Sequence, residues 1–140
     1  MNISAKVLNS EGEHEAVVTT NGVAQSLAIP PKSSGFGSSA NGGELLFLAL
    51  ATCYCNDIYR EAAQQGVRVE QVEVEVAGQF GAAGEPASHV TYRARVVADA
   101  PEAEIRELML RTDALAEIQN TLRVATLVAL DEVEAVSARS

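Results

Sequence analysis

The run Leu45-Leu46-Phe47-Leu48-Ala49-Leu50-Ala51-Thr52 constrains this chain more than any other part of it. It opens a helix read over residues 44–65, and along the first half of that helix every face is apolar. A helix apolar all round is buried all round. This one is therefore expected to run through the centre of the molecule or of a dimer. Its ends carry their own signals. Asn41 can cap the helix with Glu44 at the third helical position, a variant of the capping box, and Gly66 stops it. The uncharged apolar stretch over residues 45–55 is too short to span a bilayer.

Such a helix needs cover, and a chain of 140 residues, 47% hydrophobic, can build one sizeable core. A single domain over residues 1–140 is expected. One small chain has limited surface with which to cover a helix on every side, so an obligate homodimer is expected too. The charge narrows the choice of partners. Asp and Glu total 19 against 10 Lys and Arg, a net charge of -9. That repels phosphate backbones and anionic bilayers, which argues against nucleic acid and membrane surfaces. Aromatic residues are 4% with no Trp, too few for base-stacking platforms or aromatic cages. Met1 to Lys6 shows no basic segment leading into an apolar one, so the chain reads as cytoplasmic. The two cysteines, Cys53 and Cys55, make no disulfide framework and read as reduced thiols.

Around the helix the pattern is of strands. Residues 3–8, 15–20 and 23–29 are rich in β-branched and small side chains, and Asn21-Gly22 is a hairpin signal. Residues 30–43, with their prolines, serines and glycines, form a loop of functional length. Residues 67–80 and 87–98 alternate as a β-hairpin. Folding it about Gly84 sets Glu75 opposite Arg93 and Glu73 opposite Arg95, which fixes the register. Pro101 opens a second helix with Glu102 and Glu104 in its first turn. Ile105, Leu108, Leu115 and Ile118 mark its apolar face, and a break is possible near Thr112-Asp113. Residues 124–136 read as a final strand. The order βββ-α-ββ-α-β is that of an α+β protein with antiparallel sheets packed around a long helix.

Cys53 is the candidate for chemistry. At helical spacing Asp57 and Arg60 share its face. A small buried thiol is the commoner role of a free cysteine; a reactive one needs a nearby cation or donor. Arg60 is two turns away, about 10 Å along the axis. Cys55 points about 200° away around the same helix and cannot bridge to Cys53. Cys53, Cys55, His14 and His89 show no metal-binding spacing, so neither a metal nor a cofactor is expected. Residues 35–39, Gly-Phe-Gly-Ser-Ser, do not form a nucleophile elbow. They match no dinucleotide or P-loop fingerprint either, and read instead as a lid or wall over a pocket.

The run from Gly43-Glu44-Leu45-Leu46 to Thr52-Cys53 resembles a motif of the osmotically inducible protein C and organic hydroperoxide resistance proteins, the OsmC/Ohr family. In that family a glycine-rich loop leads into a Pro-Glu-x-Leu-Leu helix bearing a peroxidatic cysteine. The Val-x-Val-x-Val strand after a Gly-terminated helix is similar as well. So is Glu117-Ile118-Gln119-Asn120-Thr121-Leu122, which resembles the family's Cys-Pro-Val-x-Asn-x-Leu segment.

The resemblance implies an intertwined homodimer and a thiol peroxidase that reduces organic hydroperoxides in oxidative stress defence. Cys53 carries over to the peroxidatic position. Ala116 stands where the family has its second cysteine, and Gly42-Gly43 where it has Pro-Glu, leaving Glu44 one residue late. No arginine precedes Arg60, so Lys6, His14 or Lys32 would have to replace the family's strand arginine. Glu44, Cys55, Asp57 and Arg60 are the possible auxiliary residues. Two readings follow. One is a peroxidase acting through Cys53 with an external thiol as reductant. The other is a non-enzymatic dimer binding a small apolar ligand beneath the glycine loop.

Overall fold

The computed structural model describes residues 1–138, and the chain divides into two compact units, Met1–Leu48 and Ala49 onward. In the first unit β1 (Ile3–Ser10), β2 (Glu13–Thr20) and β3 (Val23–Leu27) form an antiparallel sheet in sequential order. Asn21 and Gly22 both take positive φ, 48° and 83°. That is the backbone a two-residue hairpin turn requires, and Asn and Gly reach it at least cost. The third strand ends at Leu27, two residues before the expected boundary. Pro30 and Pro31 follow closely, and neither has an N–H to extend a ladder. The loop beyond is held to β1 by the Gly37 N–H, which donates to Asn9 Oδ1 at 2.9 Å.

Helix α1 (Gly42–Gln64) starts with the expected reciprocal cap. The Glu44 N–H donates to Asn41 Oδ1 at 2.9 Å, and the Asn41 N–H donates to Glu44 Oε1 at 3.0 Å. Gly66, at φ +69°, follows its C-terminus. Burial on every side is not found within one chain. The core covers a single face of α1, that of Leu50, Tyr54, Asp57, Ile58, Glu61 and Ala62. Leu48 remains 60% exposed.

In the second unit β4 (Arg68–Gln79) and β5 (Ser88–Asp99) pair antiparallel, with Glu75 opposite Arg93 and Glu73 opposite Arg95 as the charge pattern requires. Val69, Val72, Val74, Tyr92, Ala94 and Val96 pack against a buried cluster of Tyr54, Ile58, Ala62 and Leu108. The hairpin thus lays its valine face on α1. The Tyr54 ring meets Tyr92 edge-on at 5.0 Å, and its hydroxyl donates to the Met109 carbonyl at 2.8 Å. This phenol is pushed up to about 12 by burial, then by the Asp113 charge.

Helix α2 (Glu102–Leu115) and helix α3 (Glu117–Arg123) meet at Ala116, a little beyond the expected break. Ala116 leaves helical geometry at ψ 108°. The break alters the apolar face. Leu108 is fully buried, but Leu115 and Ile118 are exposed, and Thr112 and Ala116 take the inward positions instead. The final strand over residues 124–136 is not formed. Leu127 and Val128 are each 90% exposed. Alternating apolar side chains supply strand propensity, but a strand also needs a ladder partner for its N–H and C=O groups. The observed order is therefore βββ-α-ββ-α-α. Among the described residues no helix is long and apolar enough to cross a membrane.

Candidate functional site

Cys53, Asp57 and Arg60 lie on one face of α1, as i, i+4, i+7 spacing dictates, and α3 adds Glu117 to them. The half-buried Cys53 thiol donates to Asp57 Oδ2 at 3.6 Å, and its Sγ lies 3.9 Å from Glu117 Oε2. Each carboxylate turns its other oxygen to one guanidinium. Arg60 Nη1 is 2.9 Å from Asp57 Oδ1 and 3.4 Å from Glu117 Oε1. Arg60 Nε donates to Glu61 Oε1 at 3.0 Å. The arginine therefore clamps the acids, and the acids face the sulfur.

Glu117 reaches this position because α3 is fastened at both ends. Gln119, buried, donates its amide to the Leu50 carbonyl at 3.0 Å, tying α3 to α1. Arg123 Nη2 lies 2.7 Å from Asp113 Oδ1, tying α3 back to α2. Asp113 also accepts from the Tyr92 hydroxyl. Burial works to raise the Asp113 carboxyl, but Tyr92 and then Arg123 outweigh it and hold it below the usual range.

The charges around Cys53 oppose its ionisation. Burial pushes its thiol up and the Asp57 and Glu117 carboxylates add to that; the Ile118 backbone N–H works the other way without cancelling it. Asp57 is pushed up as well, first by burial and then by Glu117, with Arg60 and Cys53 partly compensating. Glu117 is held down by its own backbone N–H and, against the effect of burial, by Asp57 and Arg60. Asp57 thus stands between the Cys53 thiol, which donates to it, and the Arg60 guanidinium, which holds its other oxygen. Such an arrangement can pass a proton from the sulfur to a group bound beside it.

The remaining candidates are placed elsewhere. Glu44 serves the start of α1. Cys55 is half-buried on another face of the helix and is free. Ala116, at the position of the family's second cysteine, is fully buried as a small packing residue. His14 pairs with Asn9 Nδ2 at 3.0 Å, Lys6 is exposed, and Lys32 lies against Gly37. His89, exposed, turns to Ser88. Glu117 is not among the site residues that the sequence points to. It opens the Glu117–Leu122 segment of the resemblance, yet nothing local in the sequence says that this carboxylate meets Cys53. Separately, a cavity of about 290 Å³ lies along α2 and β5, lined by Tyr54, Tyr92, Ala94, Met109 and Leu110 among others.

A long helix bearing a free cysteine, packed on an antiparallel hairpin and preceded by a three-stranded sheet, defines an α+β protein with its candidate site on the helix. The chain belongs to the family of OsmC-like proteins, whose model matches residues 35–131. Its fold is that of solved relatives. An OsmC-like protein from Mycoplasma pneumoniae is 17% identical, with 89% of this chain and 91% of that one covered, at a TM-score of 0.59. An OsmC-like protein of unknown function from Vibrio cholerae is also 17% identical, with 86% and 93% covered, at 0.58. The organic hydroperoxide resistance protein OsmC from Legionella pneumophila is 18% identical, with 84% and 89% covered, at 0.52. No curated protein matches the chain significantly.

Proposed function

We propose that this protein is an OsmC-type thiol peroxidase in which Cys53 is the nucleophile and Asp57 the proton carrier. The observation that carries the reading is the contact of the Cys53 thiol with an Asp57 carboxylate that Arg60 clamps from the other side. A nucleophile, a base within reach and a group that orients the base are the parts that nucleophilic catalysis needs. In the reaction Sγ gives its proton to Asp57 and attacks the distal oxygen of the hydroperoxide. The O–O bond breaks, the departing alkoxide takes the proton from Asp57, and the products are Cys53 sulfenic acid and an alcohol. An external thiol then displaces water from the sulfenic acid, and a second thiol releases the resulting mixed disulfide, restoring Cys53. With Ala116 at the resolving position and Cys55 turned away, no intrachain disulfide forms. The scarcity of thiolate makes the reaction slow at neutral pH.

Titration with cumene hydroperoxide followed by intact-mass spectrometry tests this. Gain of one oxygen in the wild type, absent in Cys53→Ser and removed by added dithiol, is the expected result. Loss of two hydrogens within a monomer contradicts the one-cysteine cycle. No mass change at all leaves the non-enzymatic binder, for which the supporting observation is the cavity beside Tyr54 and Tyr92, lined by Arg106 and Asp113 as well as apolar side chains and by no residue of the glycine loop.

The same proposal includes a homodimer. Its support is the apolar surface that one chain leaves in water, with Leu48 60%, Leu127 90% and Leu130 85% exposed. Covering such side chains is worth about 1.5–3 kcal/mol each when complete. Sedimentation at micromolar concentration is expected to give twice the chain mass, and a stable folded monomer would refute the dimer.

A further inference from the structure

We infer that Cys53, Asp57 and Glu117 form a three-ligand site for a borderline-soft divalent cation of the zinc type, with the fourth position left open. The sulfur and one oxygen of each carboxylate converge within 4.8 Å of one another. The donors come from two helices, which Gln119 on the Leu50 carbonyl ties together. Their spacing has the right size. For Zn–S of about 2.3 Å and Zn–O of about 2.0–2.2 Å, the S···O edge of a tetrahedron is about 3.5–3.7 Å. The two S···O separations here are 3.6 and 3.9 Å.

The division of oxygens also suits an ion. Arg60 engages Asp57 Oδ1 and Glu117 Oε1, while Oδ2 and Oε2 face the sulfur. In this way the arginine orients both ligands from behind, as outer-shell partners of metal sites do. The charge around the site is negative as well. A thiolate and the Asp57, Glu117 and Glu61 carboxylates carry four negative charges and Arg60 returns one, so the excess negative charge favours a divalent cation over a monovalent one. Binding replaces the thiol proton, which leaves to solvent, and no electron moves. The side chain of Glu117, 64% exposed, leaves an open path for entry. Thiolate with carboxylate ligands favours zinc-like ions over magnesium or calcium, which take oxygen alone. A bound ion would also occupy the Sγ lone pair that attacks peroxide, making the site metal-inhibited. The binding itself rests on the geometry alone and not on the peroxidase reading.

Titration of the reduced, metal-stripped protein with Co²⁺ tests the site without any peroxide. The expected result is a saturable sulfur-to-cobalt charge-transfer band at one ion per chain, displaced by Zn²⁺. The band should be absent in Cys53→Ser and intact in Cys55→Ser. Affinity should fall about tenfold or more in Glu117→Gln, an exposed position whose replacement leaves the core untouched. Absence of the band at saturating Co²⁺, its survival in Cys53→Ser, or unchanged affinity in Glu117→Gln would each overturn the assignment.

Discussion

Asp57→Asn is expected to move two reactions of Cys53 in opposite directions. Alkylation by iodoacetamide expels iodide, which needs no proton, so its rate follows the thiolate population. Burial first, then the Asp57 carboxylate and Glu117, hold the Cys53 thiol above its ordinary value. A raised thiol pKa means less thiolate at neutral pH. Removing the Asp57 charge lowers that pKa, so the alkylation profile shifts to lower pH and the rate at pH 7 rises. Hydroperoxide reduction is different because it expels an alkoxide, a far stronger base than iodide. Without Asp57 to deliver a proton, the rate per thiolate should fall by about 10²–10⁴-fold, the usual worth of a positioned acid or base. Asp57→Glu should restore part of the loss. Stopped-flow oxidation and alkylation measured across pH on the same preparations make the comparison. If both rates rise together, Asp57 is only a brake on the thiol and the relay is wrong.

This part of the site was legible in the sequence because helical periodicity is a local property. Once residues 44–65 are read as a helix, Cys53, Asp57 and Arg60 must share a face, and they do. Glu117 was not legible, because its position depends on how α3 docks. That docking rests on a glutamine 69 residues from the carbonyl it binds and on an arginine reaching back ten residues to Asp113. The fold shows the same division. The hairpin register could be read from paired charges, and the cap from Asn41 and Glu44, since each signal lies close to the structure it specifies. The segment over residues 124–136 has the side chains of a strand, but the pattern cannot supply a neighbouring ladder. The apolar half of α1 likewise announces a need for cover without naming its source.

Ile58→Ala should be among the most destabilising single substitutions in the chain. Ile58 is fully buried, packed in one cluster with Tyr54, Ala62 and Leu108. Truncating a buried isoleucine to alanine costs about 2–5 kcal/mol, the transfer free energy of the lost carbons plus the cavity left behind. Against a typical stability of about 5–15 kcal/mol, that is a large share. Leu122→Ala provides the control. Leu122 is 45% exposed on the short helix α3, and removal of a surface side chain should stay within about 0.5 kcal/mol. Urea unfolding reads the difference as a lower midpoint at an unchanged slope. A cost for Ile58→Ala no greater than that of Leu122→Ala would mean that this cluster is not what holds the helix to the hairpin. The consequence for chemistry follows from position. Ile58 is adjacent in sequence to Asp57, and its packing sets the rotation of α1 that brings Asp57 and Arg60 toward Glu117. A cavity at Ile58 should therefore slow the oxidation of Cys53 even at temperatures where the chain stays folded, because a proton relay tolerates little misplacement.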